Sequence, residues 1–473
     1  MHRKTFITQA ALATAGFIYN PNLYAMGNAL HYPVVRPPLA NRKFSSPAIE
    51  NIIAEIKNKI GNKELAWLFE NCYPNTLDTT VDYSNINNQP DTYVITGDID
   101  AMWLRDSTAQ VTPYLSLINQ DANLKKLIQG VIHRQTNCIL LDPYANAFFK
   151  DGTQESYWKK DLTDMKPGIH ERKWEIDSLC YPIRLAYLYY TTTNDLSICN
   201  ATWLQGIEIT VDTFITQQRK TGKGPYKFER ITGWAIDSVP LGGYGYPTKY
   251  TGLISSMFRP SDDATIYPNL IPSNYFAKVS LEQVLILLTK INAPKALMIK
   301  TKTLLTTLTA ALSKYSTVTT KEHSTIYAYE VNGYGSHNLM DDANIPSLLS
   351  MPYLGAVPAN DTTYANTRKY ILSTANPFYY TGTAGAGIGG PHVGVDMIWP
   401  LSIIMRGLTS TNPTEIKYCL QILQKSNAGT GFMHEAFHKN DFSNYTRKWF
   451  AWANTLFGEF ILKTYRTQPQ LLN

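Results

Sequence analysis

Apolar residues recur every three to four positions through much of the chain, the spacing that lays one stripe along a helix. Ile49, Ile52, Ile53, Ile56 and Ile60 carry it first. Ser46-Pro47 stands in front of them, a hydroxyl cap followed by proline at the first helical position. The same period predicts further helices over 63–72, 107–118, 123–139, 178–192, 202–219, 280–291, 295–314, 414–425 and 449–465. Two stretches, 226–234 and 324–331, read instead as short β pieces lying in long loops. Strands and helices do not alternate, so a parallel sheet is not expected.

The helices also repeat on a longer scale. Trp103-Leu104-Arg105-Asp106, Trp174-Glu175-Ile176-Asp177, Asp262-Asp263-Ala264, Asp341-Asp342-Ala343, Val395-Asp396-Met397 and Lys448-Trp449-Phe450 each stand before an apolar stretch. Their intervals, roughly 50–85 residues, hold a helical hairpin and a loop. Six such units predict an all-α fold, an (α/α)6 toroid with short β pieces in its loops. In that ring the inner helices begin at one face and the polar signatures crowd it. Any single Asp among them reads as a helix cap, because first-turn N–H groups favour acidic neighbours. Six around one rim make a site.

Residues 1–25 are expected to be an export signal: His2, Arg3 and Lys4 precede an apolar run from Phe6 to Tyr19 that is too short to span a bilayer. Residues 26–45 are Pro-rich and irregular, and 46–473 are expected to be one domain. No other stretch reaches transmembrane length. The expected location is outside the cytoplasm, in a bacterial periplasm or at a cell surface.

Composition narrows the chemistry. A net charge of +6 without a basic run leaves no nucleic-acid footprint. The five Cys are scattered, which excludes a disulfide scaffold or a thiolate metal site; Cys180 and Cys419 read as small buried hydrophobes. The 31 Tyr and 9 Trp suit a carbohydrate cleft, although most such rings pack cores.

Two motifs compete with that reading. His434-Glu435-Ala436-Phe437-His438 spells the zinc-peptidase pattern, which needs both His on one face of a helix. Gly and Asn before it, and Lys439 to Asn444 after it, leave room for about eight helical residues, too few to hold that register. Gly385-Ala386-Gly387-Ile388-Gly389-Gly390 matches a dinucleotide loop, but Tyr379 to Gly382 precede it and Pro391-His392 follow, where a strand and a helix are required. It is expected to be a flexible loop beside the site. Asp98-Ile99-Asp100 lacks the twelve-residue pattern of a calcium loop. No cofactor motif remains and no metal is expected.

Carboxylate chemistry is then the leading enzyme hypothesis. Glycoside hydrolysis needs one acid to protonate the leaving oxygen and one carboxylate to activate water or attack the sugar. Asp262-Asp263 supplies a like-charged pair that could keep a proton, and Glu435, with Arg447 nearby in sequence, could serve as base. Helix capping after Pro260-Ser261 is the bland role for one of the two Asp.

Three blocks carry a resemblance. Gly97-Asp98-Ile99-Asp100-Ala101-Met102-Trp103-Leu104-Arg105-Asp106-Ser107 resembles the signature of glycoside hydrolase family 125, the exo-α-1,6-mannosidases. Phe258-Arg259-Pro260-Ser261-Asp262-Asp263-Ala264, with Leu270 to Asn274, is similar to a second block of that family. Met433-His434-Glu435 and Trp449 to Asn454 are similar to a third. The resemblance runs from about 46 to 465. It implies metal-independent hydrolysis of a terminal α-1,6-linked mannose with inversion at the anomeric carbon. By motif, Glu435 would be the general base and Asp262 the general acid, with Asp263 the alternative. Arg105 and Asp106 would hold the terminal sugar, and Trp103, Asp263, His392 and Arg447 complete the expected substrate-binding set. The expected partner is a mannose-containing glycan and the expected state a monomer. The rivals are another exo-α-glycosidase of the same toroid and a glycan-binding protein that does not cut.

Overall fold

In the computed structural model, residues 32–473 are described, and Val35–Asn473 form one compact unit. The expected export signal lies outside the described residues. The helices that build the unit are α1 (Pro47–Lys59), α2 (Lys63–Cys72), α3 (Leu104–Val111), α4 (Ala122–Leu141), α5 (Ile176–Thr193) and α6 (Ala201–Gln217). They continue with α7 (Ile271–Lys290), α8 (Lys295–Tyr315), α9 (Thr362–Ile371), α10 (Pro400–Leu408), α11 (Pro413–Ser426) and α12 (Ala451–Thr467).

These helices close into an α/α toroid. On the inside α3 packs on α5 and α5 on α7, while α12 packs on both α10 and α3. The last helix therefore meets the first inner one, and the ring is shut by the two ends of the chain. The position between α7 and α10 is taken by an irregular run of turns over 347–355. Its Tyr353 hydroxyl donates to Glu459 of α12 at 2.9 Å, and Tyr181 of α5 donates to the Ile345 carbonyl at 2.9 Å. Outside, α4 packs on α6, α6 on α8, and α11 on α2.

The two rings start their helices differently. Outer helices begin with a side chain that accepts first-turn N–H groups: Ser46, Asn62, Asp121, Asn200, Asp361 and Asn412. Inner helices α3, α5, α7, α10 and α12 begin after Trp103, Glu175, Leu270, Trp399 and Phe450, none of which makes a capping bond. Three of them are led in instead by two-residue strands. Met102–Trp103 pairs with Ala147–Phe148, which pairs with Ile169–Glu171; Asn269–Leu270 pairs with Glu330–Val331; Met397–Ile398 pairs with Ala436–His438. Backbone pairing, not side-chain capping, thus fixes where these inner helices start, and it carries the loop residues to the same rim.

Several expectations are corrected. The stretch 226–234 forms no strand, whereas 324–331 does contain Ser324–Tyr327 and Glu330–Val331. Helix α7 starts at Ile271, well before 280, because Pro272, Ser273 and Asn274 form its buried first turn. The Asp262-Asp263 pair opens no helix. Nor does Asp341-Asp342: Asp341 accepts the backbone N–H groups of Leu348 and Leu349 and so ties down the irregular inner run. The glycine segment 385–390 contains the strand Ala386–Ile388, pressed so closely on its neighbours that a Cβ at Gly389 would lie 2.1 Å from the Met397 carbonyl. It is a packed hairpin strand, not a flexible loop. All five cysteines are free and buried. No helix among the described residues is long and apolar enough to cross a membrane.

Candidate active site

Arg105 lies on the first turn of α3, fully enclosed, with carboxylates on every nitrogen of its guanidinium. Nε is 3.4 Å from Asp106, Nη1 is 2.5 Å from Glu175 and 3.4 Å from Asp177, and Nη2 is 3.2 Å from Asp262. Asp106 and Asp177 sit in the first turns of α3 and α5, where the uncapped N–H groups favour negative charge. Asp262 comes from a different element. Arg259-Pro260-Ser261-Asp262 is a tight turn closed by Asp262 N–H to the Arg259 carbonyl at 2.9 Å, with proline at its second position. Asp262 then takes φ +65°, a left-handed conformation that Asp tolerates at a cost of about 1 kcal/mol. Lys173 holds it there through its carbonyl at 2.8 Å, and Asn146 donates to its carboxyl at 3.3 Å.

That backbone sends the two neighbouring aspartates apart. The Asp262 side chain is 19% exposed and faces the Arg105 cluster. The Asp263 side chain is 1% exposed and turns to His392, whose Nδ1 is 3.1 Å away, and to Ser261. Ser261 also donates to Asp342 at 2.9 Å. Of the pair, only the Asp262 side chain is partly exposed.

Four carboxylates share one guanidinium, and two of them, Glu175 and Asp262, lie side by side on its Nη1 and Nη2. Ionised carboxylates about 4 Å apart repel by roughly 4 kcal/mol at an effective dielectric of about 20, which favours a proton on one of the pair. Burial drives Glu175 well above the ordinary carboxylate range; Arg105 opposes this and Asp262 adds to it. Burial acts on Asp262 in the same sense, but Arg105 and Lys173 outweigh it and hold Asp262 below that range. Burial also raises Asp106 and Asp177 to about 6, against the pull of Arg105.

A second charged group adjoins the first. Glu435 precedes the strand Ala436–His438, and its position is set from α12: Asn454 accepts the Met433 N–H at 2.8 Å and donates to the Met433 carbonyl at 3.4 Å. Arg447 places Nη1 3.5 Å from Glu435 and Nε 2.8 Å from Asp98, and its guanidinium lies over the Phe450 ring at 4.8 Å. Its charge also acts on Asp106. The charged groups therefore follow in a row, Glu435, Arg447, Asp106, Arg105 and Asp262, with Glu175 beside Asp262 on Arg105. Near these charges, Asp106 Oδ2, Asp177 Oδ1 and the indole N–H groups of Trp103 and Trp452 are buried without a hydrogen-bond partner. Donors and acceptors so arranged suit a ligand dense in hydroxyl groups.

The H-E-x-x-H match falls apart here. Its second half is a strand, so no helical face presents both histidines. His434 is buried, stacked on Tyr445 at 3.7 Å, and burial pushes it down to about 4. His438 accepts the Asn440 N–H at 3.2 Å. Of the expected residues, Arg105, Asp106, Asp262, Glu435 and Arg447 come together. Asp263 and His392 form the adjoining wall. Trp103 is 6% exposed and meets His170 edge-on, so it offers its N–H and not an open stacking face. Sequence reasoning missed Glu175 and Asp177 as site residues. Their signal was present in Trp174-Glu175-Ile176-Asp177, which marked a helix start but not a partner for Asp262. Asn146 and Lys173 carry no sequence signal of this kind, and Asn454 stood only as the end of the Trp449–Asn454 block.

A model of the family described as metal-independent alpha-mannosidase (GH125) matches residues 62–462. The chain is similar to the meiotically up-regulated gene 157 protein of Schizosaccharomyces pombe, 39% identical over 482 residues, covering 96% of this chain and 94% of that protein. It is similar in structure to a Streptococcus pneumoniae protein of the metal-independent α-mannosidases, solved as a non-productive substrate complex with α-1,6-mannobiose. The TM-score is 0.87 at 38% identity, covering 90% of this chain and 100% of that one. A glucoamylase of Saccharomycopsis fibuligera shares the fold alone, with a TM-score of 0.52 at 12% identity over 92% of this chain and 99% of that one.

Proposed function

The chain belongs to the GH125 family of metal-independent α-mannosidases, and from that membership we propose that it removes single mannose units from non-reducing α-1,6-linked ends, with inversion at C1. The linkage rests on the Streptococcus pneumoniae relative, whose structure holds α-1,6-mannobiose. The roles rest on one observation: two carboxyls at opposite ends of a single charged row, each with its own arginine.

Asp262 gives its proton to the glycosidic oxygen as the C1–O bond breaks. Glu435 takes a proton from the water that attacks C1 from the other face, which calls for a carboxyl separation of roughly 6.5–9.5 Å. Arg447 keeps Glu435 aimed and charge-paired. Arg105 and Asp106 lie between the two and hydrogen-bond the terminal mannose. Asp263 and His392 brace each other and close the wall beside Asp262. Fixed dipoles and charges of this kind lower the barrier because they need no rearrangement as the sugar becomes cationic.

The experiment is hydrolysis of α-1,2-, α-1,3- and α-1,6-mannobiose under one set of conditions. Mannose released from the α-1,6 isomer at least tenfold faster supports the reading. Equal rates, or a preference for another linkage, contradict it.

A further inference from the structure

We propose that Glu175 is the positioning residue that holds the acid's proton: Glu175 and Asp262, side by side on the Arg105 guanidinium, share one proton, and Glu175 passes it on as Asp262 protonates the leaving oxygen. The inference rests on Asp262 being the acid, and it answers a difficulty in that assignment. Asp262 lies against Arg105 and has Lys173 on its carbonyl, surroundings that favour its ionised form. A lone carboxyl so placed would have no proton to give.

Glu175 supplies one by geometry. Its side chain is 0% exposed, so it exchanges protons with solvent only through its neighbours, whereas Asp262 is 19% exposed. Both are held on the same guanidinium fork, at 2.5 Å and 3.2 Å. Oε1 of Glu175 meets no N–H or O–H donor among the described residues, while Oε2 accepts from Ser178 at 2.9 Å. The groups facing the pair are Arg105 and Asp106 from α3, Asp177 and Ser178 from α5, and Glu171, Lys173, His170 and His392 around Asp262, with Arg447 acting through Asp106.

The step balances. The proton leaves Glu175 for Asp262 as Asp262 donates to the glycosidic oxygen. The C1–O bond breaks, water forms the new C1–O bond, and the water's proton goes to Glu435. Glu175 is left ionised beside Arg105 until Asp262 brings a proton back from solvent.

The experiment compares pH profiles of kcat/KM for Glu175→Gln, Ser178→Ala and the unaltered enzyme. Two substrates are used, α-1,6-mannobiose and 2,4-dinitrophenyl α-mannoside, whose leaving group needs no proton. Glu175→Gln should slow mannobiose cleavage at neutral pH by roughly 100-fold and move the alkaline limb to lower pH. Turnover of the dinitrophenyl substrate should stay within about threefold. Ser178→Ala removes a donor to the ionised form of Glu175, so it should move the same limb to higher pH. Equal loss on both substrates, an unmoved limb, or two shifts of the same sign would overturn the proposal. If Glu175→Gln does not fold, the Ser178→Ala limb decides alone: an upward shift supports the shared proton and no shift overturns it. If Asp262 were not the acid, Asp262→Asn would cleave both substrates with equal loss, a result independent of either variant.

Discussion

Asp262 and Asp263 are chemically identical and adjacent, yet only one is placed to act. The difference lies in a single backbone angle. A left-handed residue after Arg259-Pro260-Ser261 turns Asp262 to Arg105 and leaves Asp263 to His392. Asp262→Asn should therefore lower kcat on α-1,6-mannobiose by about 1,000-fold or more but spare the dinitrophenyl substrate, the mark of a lost acid. Glu435→Gln should lower kcat by a similar factor on both substrates while the variant still binds mannobiose, as read by calorimetry. Asp263→Asn, acting through His392, should raise KM more than it lowers kcat. The sequence made the Asp pair and Glu435 visible as carboxylates near signatures. It could not choose between the two Asp, because the choice depends on φ at one residue. Glu175 was hidden for a related reason: its partner is 87 positions away in the chain and meets it only across the ring.

At the scale of elements, the periodic outer helices were legible and the inner rim was not. Outer helices show one polar face, and all of α2, α4, α6 and α11 also start on a capping side chain, so these and α8 follow their apolar stripes closely. Helix α10 has nine residues, nearly all buried, too short a run for its period to be read as a helix. Polar first turns such as Ser273-Asn274 look like loop but are buried: Asn274 donates to the Leu270 and Ile254 carbonyls at 2.8 Å and 2.9 Å. The irregular inner run 347–355 depends on Asp341, and that dependence has a pH signature. Burial raises Asp341 to about 8, although the Leu348 and Leu349 N–H groups pull it down. The folded state then binds this proton more tightly than the unfolded chain does. Its stabilising contribution is complete below about pH 4 and is lost as pH rises through about 8. Urea titrations at pH 5 and 8.5 should show Asp341→Asn losing less stability between the two than the unaltered protein does; equal losses would contradict the assignment.

Residues 35–473 form a closed ring, and the ring brings together the two carboxyls proposed as acid and base, from positions 262 and 435. The closure is made where α12 meets α2 and α3. Leu456, Phe457, Phe460 and Ile461 of α12 are fully buried, each contributing about 1.5–3 kcal/mol. At the tightest approach Gly458 lies against Tyr73, and a Cβ would come within 2.6 Å of its ring and 2.8 Å of its Cα. Gly458→Ala should cost roughly 1–3 kcal/mol through overpacking and lower the midpoint of one cooperative unfolding transition. Loss of a separate, early transition would instead mean that the ends close no shared core.

The central claim is that water, held by Glu435, attacks the face opposite the oxygen that Asp262 protonates. Proton NMR during hydrolysis of α-1,6-mannobiose reads this directly, because the first mannose released keeps the configuration made at C1 until it mutarotates. The account predicts β-mannose in the earliest spectra, with α-mannose growing in later. Early α-mannose would contradict it, since retention requires a covalent sugar–enzyme intermediate and a different role for Glu435.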